Sequence, residues 1–412
     1  MRSDPWRGKF RYIADVYLFG EAMTAPVKLL PGTWRTATIA QTWQRFSPLA
    51  KRVGITRIAN ITGLDTLGIP VFSSIRPRSR SLSTQQGKGV TADAARVSAL
   101  MESLETWHAE HLTNTACVAT YKSLRKRCNV VDIKQLAPGP QRVTMNTQLR
   151  WIEGWDMVNQ VPVWVPEQAV TLDCVFGKRP RYFDVSSNGL ASGNTMVEAA
   201  VHGLCEVIER DAEAQWRRAG ADRRLVLETV SDPNCCALLA QCERAGMRVW
   251  AWNITADIEV PVMGVALAED PRRPRLRELG VYQGFGCHPD AAIALSRAIT
   301  EAAQTRLTYI AGARDDFFPF DYARATDPDL LMQLWQQYGQ PPEESLDASS
   351  DAPGFDIKRP AHVGTVLQHV LAEVKAAGAT QVIAVDLRQP RMGVPVVKIV
   401  VPGRATDVEA MG

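Results

Sequence analysis

The 412-residue chain lacks several features, and each absence narrows its class. No stretch approaches the roughly 18 to 20 consecutive apolar residues that cross a bilayer. The opening MRSDPWRGKFRYIADVY has no apolar segment of the secretory kind, so a cytoplasmic location is the default expectation. Excess charge of one sign is also missing. A net charge of +3 gives no global attraction to nucleic acid or membrane. The eight cysteines (Cys117, Cys128, Cys174, Cys205, Cys235, Cys236, Cys242 and Cys287) contain no Cys-x-x-Cys pair. Neither a disulfide framework nor a structural zinc site is therefore expected, and free thiols in a reducing compartment are. No repeat of fixed period is present. With 46% hydrophobic residues, the chain can build a large core as one big domain or two intimate ones.

Residues 1–45 mix aromatics, Pro and Gly without a sustained period and read as an N-terminal arm on a body spanning 46–412. β-branched runs broken by Gly and Pro predict strands over 54–61 and 69–76. The Gly-rich TQQGKGVT reads as a loop entering a helix near 91–112. Alternation over 149–157 and 161–171 predicts a hairpin turned at Asn159-Gln160. A helix over 234–246 is followed by strands over 248–255 and 261–269, and a further helix covers 288–312. The stretch 319–360, rich in Asp, Pro, Ser and Gln, is expected as an insertion or mobile connection. A last helix precedes strands at 380–387 and 395–402. The fold class is α+β, a mixed α/β architecture.

The helix predicted over 192–216 carries an unusual face. At about 100° per residue, Glu198, His202, Glu206 and Glu209 fall in one stripe with Asn194 at its edge. Taken alone this is a solvated face, but such faces intersperse Lys or Arg to relieve like charges four apart. None appears before Arg210. Ser98, Glu102 and Glu105 share a face of the helix near 91–112, and Glu301 and Gln304 share one of the helix over 288–312, again without a cation between them. One set of cations would neutralise all three stripes together. Hard oxygen ligands suit Mg²⁺, which keeps several waters and bridges carboxylates to nucleotide phosphates. A Mg²⁺-nucleotide site built from carboxylates is the expectation.

Three blocks, GKGVTADAARVSALMESLETWHAE, SSNGLASGNTMVEAAVHGLCEVIERDA and ALSRAITEAAQTRLTYIAGARDD, resemble the signature blocks of the YcaO family in order and separation, over roughly residues 47–403. The resemblance implies a non-Walker ATP site on a mixed α/β fold, in which glutamates hold Mg²⁺ ions that bind the ATP phosphates. By motif position, Glu102 and Glu105 match the first acidic motif, with Ser98 beside them. Asn194, Glu198, Glu206 and Glu209 match the second, and Glu301 and Gln304 lie in the third. Glu102, Glu105, Glu198, Glu206 and Glu209 are the implied metal ligands. Three positions before Asn194 some members carry a nucleotide-contacting Ser, where this chain has Ala191 followed by Ser192.

The chemistry implied is activation of a peptide amide, whose oxygen is phosphorylated and leaves as phosphate. Lys88, between two glycines, is placed to contact phosphate or the activated oxygen, or is a plain loop lysine. Arg314 binds phosphate or pairs with Asp315 and Asp316. Side-chain attack by Cys, Ser or Thr of the substrate gives an azoline, and external sulfide gives a thioamide. SSIRPRSRSLSTQQGKG and VVKIVVPG look like the subgroup that works with a TfuA partner, and the proline-rich tail of many azoline-forming members is missing. These features favour thioamidation of a ribosomal peptide, with a TfuA-like protein, a sulfide or other sulfur donor and a homodimer as implied partners. Azoline formation and a non-catalytic nucleotide-binding scaffold are the alternatives. Cys287-His288 as a dyad, Cys205 as a nucleophile and His202 as a base are weaker readings, because neighbours on a strand diverge and carboxylates blunt a thiol. The Arg76–Arg80 run is either a peptide- or phosphate-attracting patch or a solvated loop.

Overall fold

β-branched runs cut short by Gly and Pro produce three main sheets, antiparallel but for one pairing, and two small two-stranded ribbons rather than one long sheet. A computed structural model of the chain describes residues 17–113, 117–175, 177, 179–220, 222–273, 277, 279–347 and 360–404. The first sheet is a meander of β1 (Arg57–Asn60), β2 (Val71–Ile75) and β3 (Thr84–Lys88). The second runs β5 (Val161–Pro166), β4 (Gln148–Asp156), β12 (Ile383–Asp386), β13 (Val396–Val400) and β6 (Leu190–Ser192), with Cys117–Thr120 added against β4. The third runs β10 (Tyr282–Cys287), β9 (Val262–Glu269), β8 (Met247–Asn253), β7 (Arg223–Val226) and β11 (Glu344–Asp347). Only the β7–β11 pairing is parallel in that sheet. The expected hairpin forms between β4 and β5, with Gln160 in the left-handed region at φ 54°.

Five helices matter for the site and its rim. They are α1 (Ile39–Phe46), α2 (Ala92–Glu110), α3 (Met196–Ala219), α5 (Ala291–Ala311) and α6 (Pro319–Ala325); α4 (Pro233–Arg244), α7 (Pro328–Gly339) and α8 (Val363–Ala376) complete the main set. α3 lies between the second and third sheets, and one core joins its Met196, Ala200, Leu204 and Ile208 to Val397 and Ile399 of β13 and Trp250 and Trp252 of β8. Small residues set the spacing elsewhere. A Cβ on Gly87 would sit 2.0 Å from Ala99 N, and one on Gly284 2.1 Å from Ala302 N. β3 therefore rests directly on α2, and β10 directly on α5.

Several expectations need correction. TQQGKG is not a loop: Thr84–Lys88 pairs with β2 in register Thr84 to Ile75 and Lys88 to Val71. α3 starts at Met196, because Thr195 caps it by accepting the Glu198 N–H at 3.1 Å. Asn194 thus precedes the helix and does not lie on its face. Residues 319–347 form two helices and a strand, with Leu331 buried and Trp335 packed on Trp250 at 5.2 Å between ring centroids. The rest of that stretch, 348–359, lies outside the described residues, as do residues 1–16 of the arm. All eight cysteines are free. Among the described residues, no helix is long and apolar enough to cross a membrane.

Candidate active site

The solvated-face reading of α3 fails on burial, since Glu198 and Glu209 are only 4% and 3% exposed. Each has backbone or hydroxyl donors. Glu198 Oε2 accepts the Thr36 N–H at 2.8 Å and the Thr36 hydroxyl at 2.7 Å, while its Oε1 accepts the Asn194 N–H and Nδ2 at 3.2 and 3.0 Å. Glu209 Oε2 accepts the Cys287 N–H at 2.8 Å. On α2, buried Glu105 Oε2 accepts the Ser192 N–H at 2.6 Å, so the residue next to Ala191 contributes its backbone to the acidic cluster. Glu301 of α5 is ion-paired with Lys88 and accepts a long bond from the Phe285 N–H at 3.4 Å.

Glu102 and Glu206 differ from these. Both are half-buried, and none of the described residues donates a hydrogen bond to either carboxylate. Burial pushes the Glu206 carboxyl up to about 8, against the pull of Arg210 and with the repulsion of Glu209 and Glu102. Burial also raises Glu102, opposed by Lys88 and Arg314. Glu105 is raised by burial and then by Glu102 and Glu206, and Glu209 by burial and then by Glu301. Glu301 goes the other way: despite burial, Lys88 and Arg210 hold it below the usual range. These mutual influences link Glu102, Glu105, Glu206, Glu209 and Glu301 into one cluster drawn from three helices. Ser98 and Gln304 sit half-buried on the same helices, with no side-chain hydrogen bond among the described residues.

No cation lies between the glutamates of any one stripe, yet other elements supply some. Lys88 comes from a strand end, and Arg35 lies 3.8 Å from Glu198. Arg314 takes the structural pairing, with Asp316 and not Asp315, while its charge still reaches Glu102. Asp315 instead accepts the Ser83 N–H. Sequence reasoning missed the N-terminal segment. Besides Thr36, the Thr42 hydroxyl donates to Asn194 Oδ1 at 2.9 Å and Arg45 donates to the Asn194 carbonyl at 2.9 Å. It also missed Arg297, one helical turn before Glu301, a spacing that could have been read. Lys398 of β13 was overlooked too. This buried lysine donates to the Ser186 carbonyl, and burial drops it to about 8 against the opposing pull of Glu206 and Asp184.

A cleft beside α3 is lined by Trp34, Arg35, Glu198, His202, Cys205, Cys287, His288 and Arg297. His202 Nε2 faces an Arg297 nitrogen at 3.2 Å, so it accepts and the ring is neutral; burial and Arg297 both depress its proton affinity. His288 Nδ1 accepts the Asp290 N–H rather than a thiol proton. The Arg76–Arg80 run is neither patch nor loop at its start. Arg76 is 1% exposed and ion-paired with Glu110, and Arg80 pairs with Asp173 at 2.6 Å.

The donor set fits hydrated Mg²⁺ shared with phosphates. Carboxylate oxygens predominate, and two of the carboxylates have no donor among the described residues. Among the described residues no group of three His, Cys, Asp or Glu side chains could hold a metal ion by itself, so waters and phosphate would have to complete its shell. The comparison with protein families agrees: residues 86–405 match the model described as YcaO cyclodehydratase, ATP- and Mg²⁺-binding. The chain belongs to the YcaO family. Its cofactors are ATP and Mg²⁺, and it is an ATP-dependent enzyme. This YcaO chain is 36% identical over 383 residues to a Rhizobium leguminosarum bv. trifolii protein in the tfuA 3′ region, covering 91% of this chain and 89% of that one. A Methanothermobacter thermautotrophicus protein is 33% identical, covering 90% and 96%. The YcaO fold is shared with the structure of YcaO from Methanopyrus kandleri bound with AMPPCP and Mg²⁺, at a TM-score of 0.74 and 24% identity over 92% of this chain and 95% of that one. It is also shared with a heterocyclase in complex with substrate and cofactor, at 0.77 and 21% identity over 93% and 55%.

Proposed function

We propose that this YcaO enzyme phosphorylates the oxygen of a peptide backbone amide and, with a sulfur donor and a TfuA-like partner, converts that amide to a thioamide. Glu102, Glu105, Glu198, Glu206 and Glu209 hold the Mg²⁺ ions. Ser98, Asn194, Glu301 and Gln304 complete the nucleotide site. The bound Mg²⁺ supplies neutralisation of phosphate charge. Lys88 and Arg314 stand on the Glu102 side of the cluster, where they orient the transferred phosphoryl group and stabilise charge on the amide oxygen. Thr36 and Asn194 lock Glu198 in one rotamer by donating to both of its oxygens. The observation that carries the reading is half-buried Glu206, which has no donor among the described residues and whose carboxyl burial raises to about 8, so that a cation would favour its charged form.

The relative in the tfuA 3′ region supports the thioamide branch. The family's description as cyclodehydratase, with a heterocyclase among the structural neighbours, favours azoline formation as the second reading. Purified enzyme with Mg²⁺, ATP, sulfide, a TfuA-like protein and a candidate precursor peptide separates the two by product mass. Replacement of oxygen by sulfur raises the mass, and loss of water lowers it. Sulfide-dependent mass gain is the expected result; a dehydrated product formed without sulfide would sink the thioamide reading.

A further inference from the structure

The connection from α5 into α6 carries an exposed aromatic pair that the phosphoryl chemistry does not use. Gly312 ends α5 in the left-handed region at φ 57°, and the chain then runs to α6 through Arg314 and Phe318. Two anchors tie this connection to the site. Arg314 acts electrostatically on Glu102, and the Asp315 carboxylate accepts the N–H of Ser83 at 3.1 Å, directly before the strand that ends in Lys88. Phe317 turns inward onto Tyr309 at 4.8 Å. Phe318 and Phe320 turn outward, 58% and 64% exposed, with centroids 5.8 Å apart and ring planes within 6°. Asp321 accepts the Phe318 N–H at 2.7 Å and fixes the turn. The other exposed large apolar residues described are aliphatic, such as Leu29 and Val118.

We propose that Phe318 and Phe320 form a docking step for the substrate peptide, gripping an apolar or aromatic side chain a few residues from the amide that is activated. The inference rests on the peptide-amide reading above. Continuity with the site selects this occupant, because the short connection that carries Phe318 also carries Arg314, whose charge acts on Glu102, and Asp315, which is bonded to the segment leading to Lys88. The charges beside the rings are already engaged, Arg314 with Asp316 and Asp315 with Ser83. The surface therefore offers ring faces and edges, which suit another ring or an aliphatic chain rather than a charged one.

A displayed library of random linear peptides, selected on the full chain with Mg²⁺ and AMPPCP, tests this. Enriched peptides are expected to share an aromatic or large aliphatic residue and to lose about tenfold or more in affinity for the Phe318→Ser/Phe320→Ser variant. The variant's thermal midpoint and nucleotide affinity stay unchanged, and a Phe318→Leu/Phe320→Leu variant retains part of the binding. Equal affinity of the enriched peptides for the serine variant overturns the proposal, as does failure to enrich any peptide. So does a change of oligomeric state in the serine variant, which would assign the pair to an interface between copies. Binding is read without turnover, so the two readings fail separately: peptides that dock on the pair but are never modified refute the amide chemistry, whereas a modified peptide whose KM ignores the serine substitutions refutes the docking step.

Discussion

Two buried acidic regions lie on the same helix, α2, and they are built in opposite ways. At its C-terminal end Glu110 is enclosed by donors: Arg76, the hydroxyls of Ser79 and Ser81, and the Ser81 N–H at 3.1 Å. Arg76 in turn donates to the Ser103 carbonyl at 2.8 Å and to the Thr106 hydroxyl at 3.0 Å. Toward the middle of the helix, none of the described residues donates to Glu102, and Glu105 is served only by Ser192 of a neighbouring strand among them. A satisfied buried ion pair fixes a loop against a helix, whereas carboxylates left short of donors store a demand for cations. On α2, burial alone does not separate the two regions; the count of donors does.

The largest effect expected from breaking this contrast is on the structural side. Arg76→Met leaves Glu110 buried without its cation and is expected to destabilise the fold by about 3 to 5 kcal/mol, read by denaturant unfolding, with Mg²⁺·ATP affinity intact in the folded fraction. Glu206→Gln reverses the pattern. It is expected to lower ATP turnover by about 10²-fold or more, the scale seen when one electrostatic group is removed from a preorganised site, while leaving thermal stability at pH 7 unchanged or higher.

The pH dependence of stability sharpens the same comparison. Glu206 has a folded value of about 8 against an ordinary 4.5, so between these values the folded state holds a proton that the unfolded state has lost. Its contribution is fully present below the ordinary value and disappears as pH rises through about 8. Without ligand, the thermal midpoint is expected to fall between about pH 5 and 8 and to level off above, and less steeply in Glu206→Gln. Glu301, held low by Lys88 and Arg210 despite burial, has the opposite sign: its contribution is lost as pH falls. The smallest effect belongs to Thr36→Val, which deletes one hydroxyl bond to Glu198. A three- to tenfold weaker Mg²⁺·ATP affinity is expected, corresponding to about 0.5 to 1.5 kcal/mol, and an unchanged affinity would remove Thr36 from the site.

How much of this was legible in the sequence follows from range. The acidic stripe of α3 was readable because helical periodicity is local, and the missing Lys and Arg between its glutamates marked it as unusual. Asn194 was misplaced because the capping Thr195 ends the helix one residue short of it. β3 was missed because Gln85, Gln86 and Gly87 have little strand preference of their own; pairing with β2 and support from α2 decide the conformation. Thr36 was invisible, since its partner Glu198 lies 162 residues away and the arm around it has no period. Arg76 misled because a run of arginines reads as surface, and only the fold brings Glu110 to it. Recognition of the family depended on short blocks whose helices are each locally encoded, which is why it survived these errors.

Calorimetry of Mg²⁺·AMPPCP binding at pH 7, in two buffers of different ionisation enthalpy, tests the central claim most directly. The account predicts tight Mg²⁺-dependent binding accompanied by proton release, with both the affinity and the released proton reduced in Glu206→Gln. Binding of equal strength in the variant, with the same proton count, would contradict it.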